Sequence, residues 1–240
     1  MSTRRYQAIV FDVGGTLLHV PRDPQERALE RIAHLGVVPR EAFRGEVAQA
    51  VADWQQAGGD PSLEDLPATW VRHYERALKA AGFPGDCAMA AQLIEETFLD
   101  DGWEVFPDVI ELLQRLRTQG WILGIISNWP ATLETTLERA GLRQYFSVIV
   151  GSGMVGYAKP HPEIFQMTAR QLGLEPPRIL YVGDSLEHDF VGASKAGFQT
   201  LLLDRLGKHA GEAPRIRSLD ALEDMLTLAS LPERPNERCS

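Results

Sequence analysis

From residue 121 to residue 203 the chain alternates short apolar runs with helix-length amphipathic stretches. No other feature restricts the fold as much. The runs at 121–126, 146–150, 179–182 and 200–203 are too short for helices and suit strands buried on both faces. Around them lie 109–116, 133–140, 164–172, 190–196 and 219–228, where apolar residues recur at helical spacing. Strand–helix–strand connections of this length cross over with one hand, which predicts an α/β fold built on a doubly wound parallel sheet. An earlier run at 8–11 breaks into the turn Asp12-Val-Gly-Gly-Thr16 and predicts one more buried strand feeding a glycine turn.

Residues 21–104 interrupt this rhythm with helical periodicity and no convincing strand. Ala28, Leu29, Ile32 and Leu35 mark one apolar stripe. Pro39 stands at the favoured first-turn position of a second helix, which runs through Val47, Val51 and Trp54. A Gly/Pro break at 58–62 precedes two further helical stretches, 63–81 and 86–99, split by Gly-Phe-Pro-Gly at 82–85. The expected organisation is a core of 1–20 and 105–230, an inserted four-helix cap at 21–104, and a frayed, proline-broken tail at 231–240. The cap enters near 18–21 and leaves near 101–107. A chain of 240 residues is long enough for that division.

Lys and Arg number 24 against 33 Asp and Glu, a net charge of -9. Such a surface repels phosphate backbones and anionic lipids, so neither nucleic acid nor membrane is an expected partner. No run of 18 apolar residues is present, and the first residues do not fit a signal peptide. Cys87 and Cys239 lie far apart, so a reduced, cytoplasmic setting is expected rather than a disulfide. The oligomeric state is not legible.

In doubly wound sheets, ligands bind beyond the carboxyl ends of the strands. Here those ends carry Asp12 with Gly14-Gly15-Thr16, Ser127-Asn128-Trp129, and Gly183-Asp184 followed by Asp189. Lys159-Pro160 lies in the loop between the third strand, the run at 146–150, and its helix. Carboxylates, a hydroxyl, an amine and a glycine loop on one rim suit a phosphate group with a hard cation. Magnesium takes few carboxylates and is completed by water and substrate phosphate. Asp12 has the chemistry of both a metal ligand and a nucleophile. Backbone N–H groups of the Gly-Gly turn, with Ser127 and Lys159, would offset charge on the transferred group.

These residues, in this order, resemble the motifs of the haloacid dehalogenase-like hydrolases over the whole chain apart from its tail. The family's first motif is usually Asp-x-Asp-Gly-Thr, matched by Asp12 to Thr16. Its second is a Ser or Thr at a strand end, matched by Ser127. Its third is a Lys, matched by Lys159 within Ser152-x-x-x-Gly156-x-x-Lys159-Pro160-x-x-x-Ile164-Phe165. Its fourth is Gly-Asp followed by another acid, matched by Gly183-Asp184 and Asp189. The resemblance implies a magnesium-dependent hydrolase of a small phosphorylated metabolite, working through an aspartyl-phosphate. It implies Asp12 and Lys159 as catalytic residues. Gly15, Thr16, Ser127, Asn128 and Lys159 would bind the substrate phosphate. Asp12, Gly14 (through its carbonyl), Asp184 and Asp189 would hold Mg2+.

One position departs from the family. Gly14 stands where most phosphatases of this kind have an Asp that protonates the leaving oxygen and later activates water. A glycine still offers the carbonyl, but general acid–base help typically worth about 10²–10⁴-fold is missing there. His19 and His188 are the substitutes that sequence offers. Two other readings stay open: a 2-haloacid dehalogenase, which also lacks that Asp but usually lacks the Gly-Asp of the fourth motif, and a non-catalytic binding or regulatory protein.

Plainer readings also apply. Asp184 and Asp189 can cap the following helix, and Ser127-Asn128 can be a turn. His34, His73, His161 and His209 lack metal-ligand spacing. Trp54, Trp70 and Trp103 are expected in the cap's core. Gly151-Ser-Gly-Met-Val-Gly156 matches a dinucleotide fingerprint in letters only, because a Pro-containing stretch separates it from the next helix.

Overall fold

The computed structural model describes residues 4–20, 24–56, 66–100, 103–129 and 131–229. The expected break at 58–62, the tail at 231–240 and the side chain of Trp54 lie outside them.

The chain opens with β1 (Ala8–Phe11), every residue of which is buried. Ile9 and Phe11 face one side of the sheet, Ala8 and Val10 the other, as the period of two requires. A two-residue strand β2 (Leu18–His19) follows and pairs antiparallel with β3 (Glu104–Val105). Between them come α1 (Pro24–Ile32), α2 (Arg40–Gln56), α3 (Leu66–Ala80) and α4 (Cys87–Asp100). The chain continues through α5 (Val109–Thr118), β4 (Ile122–Ser127), α6 (Leu133–Arg139), β5 (Val148–Gly151), α7 (Ser152–Val155) and α8 (Pro162–Leu172). It ends with β6 (Ile179–Gly183), a π-helical segment Leu186–Val191 running into α9 (Gly192–Lys195), β7 (Gln199–Leu203), β8 (Arg215–Ile216) and α10 (Leu222–Ala229).

Among the described residues the main sheet has six strands in the order β5-β4-β1-β6-β7-β8, all parallel. The chain builds β4 and β5 on one side of β1 and then β6, β7 and β8 on the other. This reversal opens a crevice beyond the carboxyl ends of β1, β4 and β6. One face of the sheet packs on α5 and α10 through Leu112, Leu113, Leu116 and Leu222. The opposite face packs on α8 and α9 through Ile164, Phe165 and Ala193. Helices α1 to α4 close a separate core around Ile32, Phe43, Leu78 and Ile94. Each such large side chain stabilises its core by about 1.5–3 kcal/mol when fully buried. No helix among the described residues is long and apolar enough to cross a membrane.

The structure moves several expected boundaries. The division between 104 and 105 falls inside β3, because Glu104 pairs with His19 while Val105 pairs with Leu18. Trp121 precedes β4 rather than opening it. Gly120 takes a φ of 79°, and the Trp121 N–H donates back to Leu116 O, so both residues close α5. The helix expected over 190–196 is only α9, since Leu186–Val191 forms a π-helical turn that carries Asp189. At the end, Leu219–Ala221 is a 3₁₀ turn and α10 begins at Leu222. The pieces β2, β3, β8 and α7 span two to four residues each, too few for periodicity to register.

Candidate active site

Asp12 follows β1 directly, and its N–H donates to Val182 O at 2.9 Å, which fixes the backbone against β6. The turn that follows needs its glycine at 15. Gly15 has a φ of 76°, and a Cβ there would lie 2.2 Å from Asp184 Oδ2. Gly183 is required for a similar reason, since a Cβ on it would come within 2.4 Å of Asp189 Cγ. The two glycines thus let two carboxylates approach the backbone around Asp12.

Lys159 is 4% exposed, with all three ammonium protons engaged. Its Nζ donates to Asp12 Oδ1 at 2.6 Å, to Asp189 Oδ1 at 2.6 Å and to the Tyr181 hydroxyl at 3.0 Å. Burial works against its charged form, but the neighbouring Asp12 and Asp189 outweigh burial and hold its pKa above the usual lysine value. Asn128 sets the position of this lysine through the main chain. Its Nδ2 donates to Lys159 O at 2.9 Å, and its Oδ1 accepts from Lys159 N at 2.7 Å. Ser127 Oγ donates to Asp12 Oδ1 at 3.0 Å. Thr16 Oγ1 lies 3.4 Å from Asp12 Oδ2 and is fully buried.

Single ligand atoms of Asp12, Asp184 and Asp189 lie within 4.8 Å of one another. Asp184 is exposed to the cleft, whereas Asp189 is 1% exposed. Burial, and then repulsion from Asp12 and Asp189, push Asp184 up to about 7 against the pull of Lys159. Asp189 does not cap a helix. Its Oδ2 accepts from Ser185 N at 2.9 Å and its Oδ1 from Lys159 and Tyr181, while the capping role falls to Ser185, whose Oγ accepts from His188 N. Tyr181 lies inside the apolar run of β6, and nothing in its spacing marks it as a site residue.

These residues form the floor of a cleft of about 550 Å³. Gly14, Asp12, Ser127, Asn128, Lys159, Asp184, Asp189 and His188 all line it, whereas Gly15 and Thr16 are not in its wall. His19 is stacked on Phe106, ring centroids 4.3 Å apart, and is not in the wall. The far wall comes from the helical insertion through Trp70, Tyr74 and Glu95. Trp103 and Trp129, 4.6 Å apart between centroids, cover the space above Gly14. Trp70 and Trp103 therefore face the cleft, although an insertion core was expected for them. The Trp129 main chain is held by Ser152, whose Oγ accepts from the Trp129 N–H at 3.0 Å.

A family model described as haloacid dehalogenase-like hydrolase matches residues 6–197. The chain belongs to this family. A phosphoglycolate phosphatase from Salmonella typhimurium is 34% identical over 249 residues, covering 96% of this chain and 95% of its own. A glyceraldehyde 3-phosphate phosphatase from Methanopyrus kandleri is 28% identical over 219 residues, covering 87% and 88%. The crystal structure of a 2-haloacid dehalogenase from Pseudomonas syringae shares the fold with a TM-score of 0.69, at 28% identity over 93% of this chain and 99% of that one. The protein is a haloacid dehalogenase-like hydrolase whose cleft joins an acidic, lysine-bridged floor to an aromatic wall.

Proposed function

We propose that this haloacid dehalogenase-like hydrolase cleaves a small phosphomonoester in a magnesium-dependent reaction, with Asp12 as nucleophile. The observation that carries this reading is the cluster of Asp12, Asp184 and Asp189, of which Asp12 and Asp189 share the ammonium of Lys159. Three carboxylates against one buried cation leave excess negative charge, which adds to burial in raising Asp184 to about 7. A hard divalent cation with an all-oxygen donor set fits that imbalance. Asp12, Asp184 and Asp189 would hold Mg2+, with the Gly14 carbonyl as a further donor. When bound, the ion supplies charge neutralisation for the phosphoryl oxygens.

The remaining work falls to the chain. Lys159 and Ser127 hold Asp12 Oδ1, so the carboxylate is oriented before substrate arrives. Attack on phosphorus forms the Asp12 oxygen–phosphorus bond and breaks the bond to the leaving oxygen, which takes up a proton. Water then attacks the phosphorus, releasing inorganic phosphate and restoring the carboxylate. Gly14 offers no side chain to give or take those protons, and His188 is the histidine of the cleft wall among the described residues. Helices α1 to α4 would act as a cap that excludes water and presents side chains to the leaving group.

Phosphate release from a panel of phosphomonoesters, and halide release from 2-haloacids, should be measured with Mg2+ and with a chelator. Phosphate release that needs Mg2+ and disappears in Asp12→Asn is the expected result. Halide release in chelator would instead favour the dehalogenase reading, and turnover of neither class would favour a binding protein.

A further inference from the structure

The insertion places an acid in the cleft that the chemistry above does not use. Glu95 on α4 is 5% exposed and lies in the cleft wall. Among the described residues no hydrogen bond or ion pair reaches its carboxyl. Burial raises its pKa to about 7, and its proximity helps raise that of the Tyr74 hydroxyl. Glu95 thus stands in the wall of the ligand cleft with no partner among the described residues, a placement that suits a cationic group arriving with the ligand.

The surroundings narrow that group. Tyr74, Trp70, Trp103 and Trp129 line the same cleft, and aromatic faces attract organic cations. Lys159 is the one Lys or Arg among the described lining residues, and Asp12 and Asp189 already occupy it. Among the described lining residues no free positive charge is therefore available to receive an anionic leaving group. A carboxylate there would meet Glu95 as a like charge and the indoles as apolar surface.

We infer that Glu95 and the aromatic wall select phosphomonoesters whose leaving group carries a positively charged amine, and that they reject leaving groups carrying a carboxylate. The inference rests on the phosphatase reading of the same site and names its substrate class. It separates this chain from relatives named phosphoglycolate phosphatase, because glycolate carries a carboxylate.

The test compares 2-aminoethyl phosphate, propyl phosphate and phosphoglycolate at pH 8 with Mg2+, in the wild-type protein, Glu95→Gln and Glu95→Leu. The wild type is expected to favour the amine over the propyl ester in kcat/KM by about tenfold or more, with phosphoglycolate poorest. In both variants that advantage should shrink to within about twofold, through KM, while propyl phosphate turnover persists as evidence of an intact fold. Calorimetric titration with 2-aminoethylphosphonate, propylphosphonate and 3-phosphonopropionate reads the same preference without turnover. Amine-selective, Glu95-dependent binding with no hydrolysis of any ester would overturn the phosphatase reading while upholding the selection by Glu95. Equal use of the three esters together with equal phosphonate binding, preference for the carboxylate, or an amine preference retained in both variants would overturn the selection itself.

Discussion

At Gly14 the backbone is free to accept a side chain. Its φ lies outside the left-handed region that Gly15 occupies, and a Cβ there would meet Trp129 at 3.6 Å and Trp103 at 3.8 Å, ordinary contacts. Gly14→Asp is therefore expected to fold and to raise kcat for alkyl phosphates by about 10²–10⁴-fold, where leaving-group protonation limits the rate. Aryl phosphates, which depart unaided, should gain far less; comparing propyl and 4-nitrophenyl phosphate, with melting temperatures alongside, checks this. Asp12→Asn should abolish phosphate release and prevent binding of beryllium fluoride, a mimic of the phosphorylated carboxylate, as calorimetry would show. Glu95 offers a stability test independent of substrate. Its folded pKa is raised from 4.5 to about 7, so its favourable contribution is complete below the unfolded value and is lost as pH rises through about 7. Melting temperatures of Glu95→Gln and the wild type should accordingly stay closest near pH 4, with the variant gaining relative stability by pH 8.5.

Between elements, one guanidinium fastens the roots of the insertion. Arg205, beyond β7, donates to both Asp108 oxygens at 2.8 and 2.9 Å and to Thr16 O at 2.9 Å, and lies 3.8 Å over the Phe106 ring. Asp108 also accepts from Ser218 Oγ at 2.9 Å and from Leu219 N at 3.0 Å. Asp108→Ala leaves the guanidinium without its fork partner, and urea unfolding should show a loss of about 2–4 kcal/mol. Arg205→Lys should recover little, because an ammonium cannot span both oxygens. None of this clasp was legible in the sequence, since Asp108 and Arg205 lie 97 residues apart and neither sits in a motif. The parallel sheet was legible, because apolar runs such as Ile179–Gly183 are buried throughout and so carry an unbroken signal. The same unbroken run concealed Tyr181, which reads as one more hydrophobe. The floor of the site was visible because Asp12, Ser127, Asp184 and Lys159 stand at strand ends or beside the loops they feed. Its wall was not, because Glu95 and Trp70 are ordinary helix residues until α3 and α4 face the sheet.

At the scale of the whole molecule, the sheet is sandwiched between two apolar layers, while α1 to α4 rest on a smaller core of their own. Local opening should therefore cost less in the insertion. Hydrogen exchange followed by mass spectrometry should find the amides of β1, β4 and β6 protected longest and those of α1 to α4 exchanging sooner. A ligand spanning floor and wall should narrow that gap by adding contacts across the cleft. The pairing of Leu18 with Val105 has a longer reach. The chain departs from the sheet and returns to it at neighbouring points, so an excursion of any length can begin and end there without displacing Asp12. On the proposed reading, variation in the helices between those two residues would alter which molecules are accepted and leave the bond-breaking apparatus as it was. Reaction and taste would in this sense be separable, each open to change without the other being rebuilt.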